Sequence, residues 1–147
     1  MYNDLENISS TIKKLSKKDW DKLFRLIPII ENTSNFAESG GLVKNPETPD
    51  SYTYHPVVEA KIVRDFERVL YDLDLLINFN WPAWDEGREI ASKQNFSNQD
   101  TVTLLKLLSA FIRNNRFCDG ALASNFKNGL IEKILKQLKT NIESMKQ

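Results

Sequence analysis

The stretch between residues 111 and 135 constrains the fold more than any other part of the chain. An apolar helix leads into a turn, and a short helix is expected to begin near Asp119. Asn128-Gly129 predicts the end of that helix, because glycine adopts the left-handed C-cap conformation without steric cost. The final helix then places its apolar residues on one face: Leu130, Ile131, Ile134, Leu135, Leu138 and Ile142. The pattern indicates helices packed on one another.

Apolar spacing predicts two further helices near the N-terminus. The first covers residues 4–15. The second begins at Ser16, whose hydroxyl and the Asp19 carboxylate form an acidic version of the capping box. Pro28 is expected to kink this helix or to bring it close to its end, because proline lacks a backbone donor and clashes with the preceding turn.

Three more helices are expected in the middle of the chain. The most strongly apolar one starts at Pro56 or Val57, and its exposed side carries the pairs Lys61–Asp65 and Arg68–Asp72 at i,i+4 spacing. The next begins near Pro82 and turns Trp81 and Trp84 towards the core. The third carries the aliphatic residues between 102 and 112 and is capped by Asp100.

Residues 32–56 are rich in Asn, Thr, Ser, Gly and Pro, and they show no helical period. Such a segment is long for a loop in a compact domain, so it is either mobile or structured. Leu42-Val43 and Tyr52-Thr53-Tyr54 fit two short strands joined by a turn rich in Pro and Asp. We therefore expect a small β-hairpin at about residues 40–56.

These elements predict a mainly α protein, an irregular bundle of about six helices with the hairpin inserted. At 147 residues the chain has the length of a common domain and can bury a sizeable core. We expect a single helical domain over residues 1–147.

Composition excludes several classes of protein. The lone Cys118 can form neither an internal disulfide nor a zinc set, and it is expected to be a small core residue. No apolar run reaches the length of a membrane span, and the N-terminus lacks the features of a signal peptide. A cytoplasmic protein without membrane contact, metal or cofactor is predicted.

Charge is balanced overall but unevenly distributed. From residue 101 onward the chain has eight basic and three acidic residues, although its net charge is zero. The excess either attracts an anionic partner or joins the two halves of the chain, and the second interpretation is favoured. A zero net charge argues against a nucleic-acid partner. Binding of nucleic acid through the basic C-terminal helix stays open as an alternative.

Arg113 and Arg116 are the strongest candidates for ligand binding. They are three residues apart beside the start of a helix, an arrangement that suits a phosphate or an oxyanion. The favoured interpretation is nevertheless structural. Arg116 is expected to pair with Asp119, or with an acid from the first half, and so to close the turn.

Three further side chains complete the candidate site. His55 is the only histidine and could act as a base, although no partner is marked by its spacing. Trp81 and Trp84 are further candidates for ligand binding, and a deep pocket lined by Arg116 and Trp84 would distinguish the functional hypotheses. Because no catalytic set is assembled in the sequence, a non-enzymatic binding or regulatory module is the leading hypothesis. A small enzyme using Arg113 and Arg116 with His55 or an acid is the alternative.

Two motifs resemble a family of small bacterial proteins known only as a domain of unknown function. They are Phe79-x-Trp81-x-x-Trp84-x-x-Gly87 and Arg113-x-x-Arg116-Phe-Cys-Asp-Gly-x-Leu-Ala-x-x-Phe126-x-x-Gly129-x-Ile-x-x-Ile-Leu135. The resemblance extends over about residues 56–139. It implies a bacterial, cytoplasmic domain and no particular reaction. A second copy of the chain or another protein remains open as the partner.

Overall fold

The computed structural model describes residues 2–48 and 50–145, and most of them are helical. The predicted class, mainly α with a small antiparallel hairpin, is confirmed. The helices are shorter and more numerous than the six or so that were predicted. In chain order the elements are β1 Asn3–Asp4, α1 Ile8–Lys14, α2 Lys17–Phe24, α3 Leu26–Glu31, β2 Ala37–Lys44, β3 Tyr52–Glu59, α4 Lys61–Asp72, β4 Ile77–Asn78, a 3-10 turn Trp81–Ala83, α5 Asp85–Lys93, α6 Thr101–Asn115, α7 Ala121–Lys127 and α8 Leu130–Met145.

Two predicted helix starts are confirmed in atomic detail. At α2, the Asp19 amide donates to the Ser16 hydroxyl at 3.2 Å, and the Ser16 amide donates to the Asp19 carboxylate at 3.0 Å. At α6, the Asp100 carboxylate accepts the Thr103 amide at 2.7 Å. Each cap satisfies donors that the first turn of a helix leaves without an intrahelical acceptor.

The second predicted helix is divided at Arg25 rather than kinked at Pro28. Helix α3 starts directly after Arg25 and contains Pro28 in its first turn. At that position the missing backbone N–H has no intrahelical acceptor, so proline is tolerated.

The first predicted helix was placed four residues too early. Helix α1 begins at Ile8, and residues Asn3–Asp4 instead form strand β1, parallel to β4. The Asn3 amide donates to the Leu76 carbonyl at 2.7 Å, and its side chain donates to the Thr11 hydroxyl at 2.8 Å. This short pairing fixes the N-terminal segment, and it brings Tyr2 against the end of α6.

The hairpin is longer than predicted, and its second strand includes the residues at which the central helix was predicted to begin. Strands β2 and β3 pair from Ala37 with Glu59 to Lys44 with Tyr52. Pro56 lies where the register shifts, a position at which a strand can lack a backbone donor. Helix α4 therefore begins at Lys61, not at Pro56 or Val57.

Helix α6 lies at the centre of the packing and contacts α7, α8, β4 and the 3-10 turn. Its one buried polar side chain, Ser109, donates to the Leu105 carbonyl at 2.7 Å and accepts the Ile77 amide at 2.9 Å. The C-terminal helices contribute one cluster of core residues, with Phe111 half-buried at its edge. The cluster comprises Leu108, Phe111, Leu122, Phe126, Ile134 and Leu135.

Replacing Phe126 with alanine should lower the free energy of unfolding by about 3–5 kcal/mol, the usual cost of such a cavity. Its ring is 2% exposed and packs against Phe36 and Phe66, with centroids 5.3 Å and 5.1 Å away. Phe117→Ala is the matched control, because Phe117 is 77% exposed and should cost below about 1 kcal/mol. Urea denaturation measures both, and a loss below about 1 kcal/mol for Phe126→Ala would contradict this packing.

Candidate functional site

Four of the six arginines of the chain gather around Tyr2. Arg64 and Arg68 come from α4, and Arg113 and Arg116 from the C-terminal end of α6. The cleft between these helices has a volume of ≈ 570 Å³. We call it the arginine cleft, and Arg113 lies beside it against the Tyr2 ring. Its lining consists of Tyr2, Arg64, Glu67, Arg68, Tyr71, Asp72, Leu76, Ile112 and Arg116.

The Tyr2 ring orders the two arginines of α6. The guanidinium carbon of Arg113 lies 4.8 Å from the ring centroid, and that of Arg116 lies 5.9 Å away. Both distances are within the range of a cation–π attraction. The Tyr2 hydroxyl is buried and has no hydrogen-bond partner among the described residues. Tyr2 carries no signal in the sequence, because it precedes a strand of only two residues, which shows no periodicity.

Three of these arginines lack an acidic partner in the described part of the chain. Within residues 2–48 and 50–145, no carboxylate lies within 4.0 Å of the guanidinium groups of Arg68, Arg113 or Arg116, whereas Arg64 reaches Glu38 at 3.5 Å. The predicted pair of Arg68 with Asp72 does not form, although the pair of Lys61 with Asp65 does. Among the described residues, the guanidinium groups of Arg68 and Arg116 have no hydrogen-bond partner, whereas Arg113 Nη1 donates to the Asn78 side-chain oxygen at 3.4 Å.

The predicted pairing of Arg116 with Asp119 is wrong. The Asp119 carboxylate accepts hydrogen bonds from the Tyr54 hydroxyl and from the Val57 amide, the latter at 2.8 Å. These two bonds lower the pKa of Asp119 and tie strand β3 to the turn between α6 and α7. Asp119 thus closes the turn from the hairpin side, and Arg116 is left exposed beside the cleft.

Glu59 and Glu67 form a pair of carboxyl groups at the arginine cleft, and sequence analysis missed both. Glu59 ends β3, Glu67 lies in α4, and their side chains are within hydrogen-bonding reach of each other. Burial and the neighbouring Glu59 charge raise the pKa of Glu67 to about 7, while Arg116 opposes the shift. Burial also raises the pKa of Glu59.

A shared proton explains this arrangement. The Oε2 atom of Glu59 is buried and has no hydrogen-bond partner among the described residues. A protonated Glu67 supplies a donor, because a neutral carboxyl group carries an O–H. Two close carboxylates also repel each other, so holding one proton between them is favourable. One proton on the pair would satisfy the buried Oε2 atom and relieve this repulsion.

Trp81 and Trp84 line a different cavity of ≈ 250 Å³, which they share with Arg88 and Asn114. The structure therefore does not place the tryptophans with Arg116. The Trp84 ring lies so close to Gly87 that a Cβ atom there would collide with it. This contact explains the spacing of the Trp-x-x-Gly motif, which serves packing.

The remaining candidates lie on the surface. His55 is exposed on β3, opposite Gly41, and does not line the arginine cleft. The prediction of a buried Cys118 is wrong, because the residues after Arg116 follow the surface turn into α7. Within the described residues, no group of three or more His, Cys, Asp or Glu side chains is placed to hold a metal ion.

A protein family of unknown function, DUF6508, matches residues 15–144, which is most of the chain. The chain belongs to the DUF6508 family. The predicted resemblance to a family of unknown function is confirmed. No curated protein and no solved structure matches the chain.

In this DUF6508 protein the matched range includes every residue of the arginine cleft except Tyr2. The carboxyl pair and the hairpin that carries Glu59 also lie within it. Among the described helices, none combines the length and the apolar character that crossing a membrane requires.

The proton held by the carboxyl pair should make stability depend on pH. The folded-state pKa of Glu67 is about 7, above its ordinary 4.5, so the folded protein binds more protons between these values. Its stabilising effect is therefore complete below about pH 4.5 and is lost as pH rises through about 7. Because Glu67 is only half-buried, the loss should be about 1 kcal/mol.

Glu67→Gln should remove this loss, because an amide cannot release the proton that it donates. At about pH 8 the variant should be more stable than the wild type by about 1 kcal/mol. Glu143→Gln on α8 is the control of equal charge change, since Glu143 is exposed and lies outside the arginine cleft. Equal pH profiles of unfolding for the wild type and Glu67→Gln would show that the pair holds no proton.

Proposed function

We propose that this protein is a non-enzymatic binding module whose arginine cleft holds an anionic group of a small ligand. The observation that carries the proposal is the state of Arg68, Arg113 and Arg116. In a chain with 20 basic and 20 acidic residues, these three guanidinium groups have no carboxylate within 4.0 Å in the described structure.

The chemistry of the guanidinium group supports an oxyanion as the ligand. Its planar fork donates two parallel hydrogen bonds to a phosphate or a carboxylate. The Tyr2 ring already restricts the side chains of Arg113 and Arg116, so they lose less conformational entropy when a ligand binds. Tyr71 is 53% exposed at the same cleft and offers a ring to the rest of the ligand.

One observation favours a small enzyme as the second candidate. The pKa of Glu67, raised by burial to about 7, is suited to a general acid or base at neutral pH. Such an enzyme would use the same cleft, with Glu67 in the role that sequence analysis left to His55 or an acid. The binding proposal needs only the arginines and is therefore preferred.

The basic C-terminal helix gives less support to nucleic-acid binding. Its lysines have partners on the protein: Lys136 pairs with Glu31 and Glu132 at 3.5 Å, and Lys139 pairs with Glu143 at 3.9 Å. Lys133 donates to the Gln94 side chain at 3.0 Å. The contact between Lys136 and Glu31 also joins the two halves of the chain, as the charge distribution predicted.

Sulfate is a suitable first probe, because it presents the oxygens of a phosphate group. Calorimetric titration should give saturable binding, and Arg68→Gln and Arg116→Gln should each weaken it by about tenfold, the cost of one charge-assisted contact. Arg25→Gln is the control, since Arg25 is an exposed arginine outside the cleft. It should change the affinity by less than about twofold.

Two results would contradict the proposal. One is the absence of saturable binding, and the other is an equal loss in Arg25→Gln and in the cleft variants, which would indicate general charge attraction. The melting curve of each variant serves as the folding control, since these arginines are not buried. A thermal-shift screen of phosphate-bearing and carboxylate-bearing compounds would then identify the ligand through its linkage to folding.

A further inference from the structure

The carboxyl pair lies beside the groups that we assign to anion binding. Glu67 lines the arginine cleft together with Arg116, and the Arg116 charge acts on Glu67. A bound anion and an ionised Glu67 would therefore compete for the same positive charge. The two states also repel each other directly, as like charges do in a partly desolvated site.

We propose that the arginine cleft takes up its anion together with one proton, which Glu59 and Glu67 share. The inference rests on the proposed function. The proton comes from solvent and converts the Glu67 carboxylate into a neutral carboxyl group, whose O–H donates to the buried Oε2 of Glu59. No covalent bond forms or breaks in the ligand.

The charged surroundings of the pair favour this coupling. Glu59 ends β3 and is flanked by the charges of Arg64 and Asp119 and by the Asn115 amide. The Arg116 charge favours the ionised form of Glu67, and the Glu59 charge disfavours it. Arg68 and Asp72 also line the cleft. When an anion neutralises Arg116, the one attraction that keeps Glu67 ionised is lost. Protonation of Glu67 becomes easier as a result.

Linkage makes the effect reciprocal. If the anion raises the affinity of the pair for a proton, the proton raises the affinity of the cleft for the anion by the same factor. Because the pKa of Glu67 is about 7, the coupling should be seen near neutral pH. The cleft would then bind an anion more tightly in a mildly acidic solution than in a mildly basic one.

Sulfate is the probe for this test as well, because it keeps its double negative charge across this pH range. Its affinity for the wild type should rise by up to about tenfold from about pH 8 to about pH 6. Calorimetry in two buffers of different ionisation enthalpy should show net proton uptake on binding. At about pH 8, Glu67→Gln should bind sulfate several-fold more tightly than the wild type, without proton uptake.

Two controls separate the pair from other titrating or charged groups. Glu143→Gln makes the same charge change outside the cleft, and His55→Asn removes the only histidine. Both should keep the proton uptake of the wild type. Glu59→Gln is the second variant of the pair and should also lose it, which covers the case that Glu67→Gln fails to fold.

The outcomes distinguish the two proposals. Sulfate binding that depends on the cleft arginines but involves no proton uptake would overturn the proton coupling and leave the binding module standing. Proton uptake that persists in Glu67→Gln and Glu59→Gln would also overturn it. Absence of saturable sulfate binding would refute the binding module, and the coupling with it.

Discussion

Burial of helix α6 is the constraint on which the rest of the structure depends. Its apolar side chains are covered by α7, α8 and β4, and its one buried hydroxyl, that of Ser109, donates to the Leu105 carbonyl and accepts the Ile77 amide. A helix enclosed in this way cannot turn its charged residues inward. Its polar C-terminal end must emerge between other elements, and Arg113, Asn115 and Arg116 are located there. The arginine cleft therefore forms where the C-terminal end of α6 leaves the core.

Two sets of contacts outside the apolar core, which we call tethers, determine which groups surround the C-terminal end of α6. The Asp119 carboxylate holds strand β3 through the Tyr54 hydroxyl and the Val57 amide. Strand β3 then brings Glu59 to Glu67 in the middle of α4. On the other side, the pairing of β1 with β4 brings Tyr2 against Arg113. Neither tether belongs to the apolar core, yet together they place acidic, basic and aromatic groups at one cleft.

The sequence predicted well the features that depend on neighbouring residues. The caps at Ser16 and Asp100 follow from hydrogen bonds three residues apart, and the positive φ of Gly129 follows from its place after a helix. The hairpin was foreseen from turn residues between apolar pairs, although its length was not. Such signals are local, so they survive without knowledge of the fold.

The candidate site could be predicted only in part, because it depends on contacts between distant segments. Arg113 and Arg116 were identified from their spacing on one helix, but their isolation from carboxylates depends on where Asp119 finds its partners. Glu59 and Glu67 were missed because the predicted helix contained both residues. In the structure Glu59 instead ends strand β3, which brings its side chain to that of Glu67 on α4. Trp84 was assigned to a ligand, whereas its close contact with Gly87 explains its position.

The measurement that tests the central claim most directly is a sulfate titration followed through the arginine side-chain Nε–H resonances of isotope-labelled protein. The account predicts that the signals of Arg68, Arg113 and Arg116 shift along one common saturation curve, while those of Arg25 and Arg88 stay in place. Arg88 is already paired with Asp85, and Arg25 lies outside the cleft. Equal, non-saturating shifts of all six arginines would contradict the assignment of the cleft as an anion site.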